Sequence, residues 1–406
     1  MHLLGTLNSS GNPWPSRASL WRAGICGRRP LTPSLLACWA LSFLLLVSAS
    51  PRATAADLVF GHIGAHTGVQ ANTGKGLRDG IALYFESVNA AGGVKGSKLV
   101  LEAVDDRYEP ARTVAAAKQM LADKKVIALL ATLGTENNDA LVKSGALKGN
   151  SLINFGPRAA SSVLEPSQET FRVRASYGSE MRKILSHLSV MGATQLGLVA
   201  QADGLGREGE DALTKAMAGG AAKLVAKASY DRATSDVTGA VTAMRGANVQ
   251  AIVFVGISKA CADFMKLYNK AGGSAPVYAI SVVDPNVVAK LAPGDAARGL
   301  IVAQTMPSPA KRATPLIREM REAITATGSA VDVNYTTVEG FAVAKAAVEV
   351  LRRSSALTRE GFRNALAKPS PEIDLGGLFV NFSNGKRDGG EYVELSVIGL
   401  DGAIRN

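Results

Sequence analysis

The residues best placed for chemistry sit in a glycine-rich loop, GHIGAHTGVQANTGKG, which overlaps the end of an apolar run beginning at Leu58. Backbone N–H groups in such a loop can cradle a phosphate. A phosphate loop needs four residues between its first glycine and the Gly-Lys pair, then Ser or Thr for a metal. Here Gly68 and Gly74 enclose five residues, and Gly76 follows Lys75, so that chemistry is not supported. The dinucleotide spacing is missing too, because Gly61, Gly64 and Gly68 fall at intervals of three and four. His62 and His66 are four apart, but they lie on glycine-broken sequence with no third ligand, so zinc is not indicated. Asp105 and Asp106 could pass for a pair of catalytic carboxylates. Adjacent strand residues point to opposite faces, however, so capping the following turn is the role expected of them. GISKA, Gly256 to Ala260, approaches a nucleophile elbow but ends in alanine. Cys261 has no base near it in sequence, the nearest histidine being His187. No nucleophile, general base and oxyanion donors assemble, and neither a cofactor nor a metal is implied.

The elements that must position these loops follow one repeating pattern. Short apolar runs alternate with helix-length stretches that carry apolar residues every three or four positions. The strand candidates are LVFGHI, KLVLEAV, VIALLA, SLINF, QLGLVA, KLVAKASY, AIVFVG, PVYAIS and GLIVAQ. Continuous Val/Ile/Leu runs belong to strands covered on both faces, hence to parallel sheets flanked by helices. Pro110 after Glu109 suits a first helical turn, and Ser235-Asp236 precedes another helix, VTGAVTAMR. A doubly wound α/β protein is expected, with function in the loops at the carboxyl ends of its strands.

Of 406 residues 47% are hydrophobic and 19% charged, the balance of a folded chain with room for two domains. The net charge of +11 would suit a nucleic-acid partner if it lay on the folded body. It does not: residues 1 to 55 hold five arginines and no lysine or acidic residue, which leaves +6 for the remainder. Arg28 and Arg29 precede the apolar run Leu35 to Val47, and Ala53 and Ala55 form the small-x-small pattern cut by signal peptidase after Ala55. The run is shorter than the ~20 residues of a membrane span. Residues 1–55 therefore read as a signal peptide, and the mature protein as periplasmic, without a nucleic-acid partner. LLAC, ending at Cys38, precedes most of the apolar core and so does not fit a lipidation signal. Of the three cysteines only Cys261 remains after cleavage, expected as a small buried apolar residue.

Three segments carry a family resemblance. Gly76 to Leu130, with N-A-A-G-G-V-x-G at Asn89 to Gly96 and then an Asp-Asp pair, is one; FRVRASYGSE, Phe171 to Glu180, is the second; QADGLGREGEDAL, Gln201 to Leu213, is the third. Together they resemble the extracytoplasmic solute-binding proteins of branched-chain amino acid ABC transporters, the Leu/Ile/Val-binding family. The likeness extends to the DLGG segment at Asp374 to Gly377. It implies a type I periplasmic-binding fold: two Rossmann-like lobes joined by three crossings, near Ser176, Ala303 to Met306 and Leu378 to Asn381. One lobe would comprise residues 56–175 plus 305–378, the other 176–304 plus 379–406. Ligand would be captured between them by hinge closure.

The resemblance also assigns candidate ligand contacts. Thr135 and Glu136 stand where the family binds the amino-acid head group, and Gly156 and Arg158 where it offers small residues and a Thr. Tyr177 follows the first crossing, as a stacking group or as hinge packing. Asp203 and Leu205 correspond to the family's aromatic wall, and Gly256 and Ile257 to another position often aromatic. Asp284 corresponds to the acid that pairs with a ligand ammonium, although it and Glu136 are equally placed as helix caps. The departures at Arg158, Leu205 and Gly256 or Ile257 point away from a branched-chain ligand. A guanidinium in the cleft favours a carboxylate, so the expected solute is an amino acid with another side chain, or an organic acid; Arg158 as a solvated rim charge is the other reading. The implied partners are an inner-membrane permease and ATPase, with the binding protein a monomer. A sensor presenting ligand to a chemoreceptor or kinase is the alternative within the fold, and a secreted small-acid enzyme the alternative outside it.

Overall fold

A computed structural model describes residues 56–383 and 386–406; the leader, with its signal-peptide reading and two of the cysteines, lies outside the described residues. All nine apolar runs form strands. The first four give β1 (Leu58–Gly64), β2 (Leu99–Asp105), β3 (Val126–Leu130) and β4 (Ile153–Phe155), and a two-residue β5 (Thr170–Phe171) completes a parallel sheet of order β2-β1-β3-β4-β5. The other five give β6 (Gln195–Gln201), β7 (Lys223–Tyr230), β8 (Ala251–Val255), β9 (Val277–Ala279) and β10 (Ile301–Gln304), which pair in parallel. Two antiparallel strands from beyond the hairpin β11 (Ile373–Asp374) and β12 (Phe379–Val380) extend that sheet: β13 (Glu394–Ile398) and β14 (Ile404–Arg405). The result is a type I periplasmic-binding architecture of two doubly wound lobes. Each central strand is buried on both faces, as β3 and β8 illustrate with every residue buried.

Helices cover both sheets. In the first lobe these are α1 (Ala71–Ala90), α2 (Pro110–Ala122) and α3 (Thr135–Lys143); α4 (Tyr177–Val190), α5 (Gly204–Met217), α6 (Thr238–Gly246), α7 (Ser258–Lys270) and α8 (Pro285–Leu291) belong to the second. The chain then returns to the first core with α9 (Pro315–Thr327), α10 (Tyr335–Arg353) and α11 (Arg359–Ala367). Pro110 occupies the first turn of α2, where its missing N–H costs nothing. Against α1, the largely buried helix α10 crosses at backbone contact: a Cβ on Gly80 would stand 2.1 Å from the carbonyl oxygen of Thr337, and one on Gly340 2.3 Å from that of Leu77. This close crossing fixes the face of α10 that carries Thr336 and Glu339.

The first core runs to Val173 and the second begins to take the chain at Tyr177; the return falls between Ala303 and Met306. The third crossing comes later than Leu378 to Asn381, where the sequence suggested it. Val380 and Phe382 still belong to the first core, Phe382 packing on Phe155 and Phe171 with ring centroids 5.4 and 5.8 Å away. Arg172 N donates to the Arg387 carbonyl at 2.7 Å, and Gly389 N to the Arg172 carbonyl at 2.9 Å. The chain therefore leaves the first lobe only after Gly389 and enters the second sheet at β13.

Candidate functional site

The carboxyl ends of both sheets face each other, and the loops leaving them meet in two polar clusters. The first is built around two arginines. Arg158, in the loop after β4, donates Nη1 to Glu339 of α10 and Nη2 to the Ser281 carbonyl at 3.0 Å; Ser281 lies after β9 in the second lobe. Arg174, at the first crossing, donates to Ser281 Oγ and stands 3.4 Å from Glu339 and 3.6 Å from Glu180. Glu180, on the first turn of α4, accepts from Ser281 N at 2.6 Å and from Ser281 Oγ at 2.8 Å. Arg158, Arg174, Glu180 and Glu339 are all at most 3% exposed. Isolated charges could not remain there, so pairing is obligatory. Even so, Arg158 Nε and Arg174 Nε and Nη1 have no hydrogen-bond partner.

The second cluster surrounds Arg232, in the loop after β7. It pairs with Asp203 at 2.8 Å within its own lobe and reaches across to Asn137 Oδ1 at 2.6 Å and to the Tyr108 carbonyl. Its guanidinium lies 3.7 Å from the centroid of the Tyr108 ring, a cation–π contact. Arg107 and Tyr108 both have positive φ, 54° and 65°, a conformation disfavoured for side chains of this size. Asp106 holds them there, accepting from Tyr108 N at 2.8 Å and from Thr113 at 2.6 Å. Asp105 turns the other way, to His66 N and Thr67, as the alternation of a strand requires. Both aspartates thus organise turns.

The candidate contacts fall as follows. Thr135 Oγ1 lies 2.8 Å from Tyr177 OH, both side chains buried. Glu136 accepts from Gly204 N and pairs with Arg207 at 3.2 Å, bridging the first turns of α3 and α5. Asp203 caps α5 through Leu205 N and Gly206 N. Leu205 and Ile257 are part of the second core. Gly256 packs against Tyr230, whose hydroxyl a Cβ would approach to 2.1 Å and which accepts from Ile257 N at 3.1 Å. Gly156 has φ 64° and faces Val343 of α10. Asp284 caps α8 through Asn286 N and accepts from Thr336 N and Oγ1, at 3.0 and 2.6 Å, tying α8 to α10. Arg158 is not a solvated rim charge. Arg174, Glu180, Glu339, Ser281, Tyr108 and Arg232 were not singled out from sequence. Glu339 did leave a signal there: a lone acid in the apolar stretch YTTVEGFAVA must be paired if that helix is buried. Cys261 is buried and its thiol pKa is raised by burial.

Two buried groups make stability pH-dependent in opposite directions. Desolvation lowers His62 from 6.5 to about 4, against the bond between its Nδ1 and the Leu130 carbonyl. Desolvation raises Glu180 from 4.5 to about 7, outweighing the attraction of Arg174. As pH falls from about 6.5 to 4, the unfolded chain takes up a proton that native His62 refuses, so stability is lost. Between about 4.5 and 7 native Glu180 holds a proton the unfolded chain has released, so stability is lost as pH rises. The two oppose each other where the windows overlap. Urea melts of the parent and His62→Gln from pH 7 to 4 should therefore diverge by about 3 kcal/mol in favour of the variant at the acid end. Parallel curves would mean that His62 titrates normally.

These features define a two-lobed α/β protein of the periplasmic-binding architecture, and comparison with known proteins agrees. The periplasmic binding protein family model matches residues 58–389, so the chain belongs to that family. It is 28% identical over 208 residues to the Leu/Ile/Val-binding protein homolog 3 of Brucella melitensis biotype 1, an alignment covering 50% of this chain and 55%, about half, of that relative. A substrate-binding periplasmic protein from Ralstonia solanacearum superposes with TM-score 0.83 and 35% identity, covering 86% of this chain and 99% of the other. A branched chain amino acid ABC transporter structure from Thermus thermophilus with bound valine superposes with TM-score 0.77 at 19% identity, over 87% of this chain and 95% of its own.

Proposed function

We propose that the mature chain is exported through its leader, captures a small carboxylate-bearing solute between its lobes, and delivers it to the permease and ATPase of an ABC importer. The observation that carries the carboxylate is the pair Arg158 and Arg174, buried together at the strand ends with guanidinium N–H groups in excess of their protein partners. Planar guanidinium forks match carboxylate oxygens bidentately. Contacts bridging the lobes, such as Arg158 to Ser281, Arg232 to Asn137 and Asp284 to Thr336, exist together only when the lobes meet. A solute that touches both lobes would therefore shift the population toward closure, the form a permease would read.

A matching solute at 100 times its dissociation constant should stabilise the fold by about 2.7 kcal/mol. Arg158→Lys keeps a charge opposite Glu339 but loses the planar fork, so the same solute should give a much smaller thermal shift in this variant. An equal shift in variant and parent would remove Arg158 from the site. Mass spectrometry of molecules that co-purify with the mature chain supplies the first candidates.

A further inference from the structure

We propose that the solute is a carboxylate without an α-ammonium group, an oxo, hydroxy or simple carboxylic acid, and not an amino acid; this rests on the carboxylate reading above. An amino acid brings an ammonium with three donors, which on burial needs acceptors and an opposing charge. Each acid of the two polar clusters and of the candidate contacts is engaged by the protein. Glu339 serves both arginines, and Glu180 accepts from Ser281 through both oxygens. Asp203 is held by Arg232 and the first turn of α5, and Glu136 by Gly204 N and Arg207. Asp284, the position at which the resemblance led us to expect an ammonium partner, is fully buried and occupied by Asn286 N and by Thr336 N and Oγ1.

The unpartnered capacity has the opposite character. Arg158 Nε and Arg174 Nε are charged donors without a hydrogen-bond partner that can only receive an acceptor, and Arg174 Nη1 has only its 3.4 Å ion pair with Glu339. Two neutral amides and two imidazoles also keep an unpartnered atom: Gln70 Nε2, whose Oε1 accepts from Thr73 at 3.0 Å, Asn286 Oδ1 at the first turn of α8, and Nε2 of His62 and of His66. None of these groups carries a negative charge to offset an ammonium. A zwitterion would place its cation among surplus cationic donors, whereas a plain carboxylate satisfies them.

The test is calorimetric titration of the mature chain with matched pairs: leucine and 4-methyl-2-oxopentanoate, valine and 3-methyl-2-oxobutanoate, phenylalanine and phenylpyruvate, glutamate and 2-oxoglutarate. The expected result is that at least one oxo acid binds and its amino counterpart binds about 100-fold more weakly or not at all. Any amino acid that binds as tightly as its oxo partner overturns this inference while leaving solute capture intact. No binding by either class across the panel at millimolar concentration overturns the carboxylate reading itself. Arg174→Gln and Arg158→Lys complete the test. If either keeps the parent's affinity for the oxo acid, the arginines are not its binding groups and the inference falls.

Discussion

Replacing Glu339 with alanine should cost the fold about 3–5 kcal/mol, because it leaves two buried guanidinium groups without their shared carboxylate. Arg158 and Arg174 are 3% and 1% exposed, so water cannot take its place without opening the cleft. Calorimetry should record a fall in Tm of roughly 4–7 °C. The size of the effect reflects an uncompensated charge, not the net worth of the pair. The double variant Glu339→Ala/Arg158→Met should therefore recover a large part of the loss, since one cation and the only missing partner of its Nη1 leave together. Additive losses in the double variant, or a single variant within 1 kcal/mol of the parent, would show that the cluster is solvated in solution.

The glycine crossing of α1 and α10 should give the second large effect. Alanine normally stabilises a helix by about 1 kcal/mol over glycine. At Gly80 and Gly340 the new Cβ would meet backbone oxygen at 2.1 and 2.3 Å, and backbone cannot rotate aside as a side chain can. Each Gly→Ala change is expected to cost about 2–3 kcal/mol, the range of core overpacking. Gly239, on α6, is the control: it has helical φ and open space around its Cβ position, so Gly239→Ala should gain about 0.5 kcal/mol. Chemical denaturation of the three variants separates propensity from packing. Equal behaviour at all three sites would mean the helices can move apart at little cost.

Much of the fold was legible because its signals are local. Runs such as VIALLA and AIVFV must be strands buried on both faces, and each is. The unread parts are those whose reason is distant. β5 has two residues and exists because β4 offers it an edge. The third crossing was placed too early because Phe382 looks like an ordinary apolar residue, and only its packing on Phe155 and Phe171 shows that the chain has not yet left the first lobe. The site divides the same way. Arg158 could be found from its loop at a strand end, but its partner Glu339 lies 181 residues away, and Ser281 lies 123 residues away. Arg174 and Glu180 sit inside a segment already recognised, with nothing in that segment to say that they turn into the cleft.

The interleaving of the lobes also sets an order on synthesis. The second core draws almost entirely on one continuous stretch, Tyr177 to Ala303, completed by Ala160 and Ile398. The first core begins at Leu58 and is not whole until Phe382. As the chain emerges from its amino end, β1 to β5 therefore wait, with one apolar face covered only in part by α1, until α9, α10 and α11 have followed nearly all of the other lobe. The lobe that begins first is completed last, and a holding chaperone would find its target in that face.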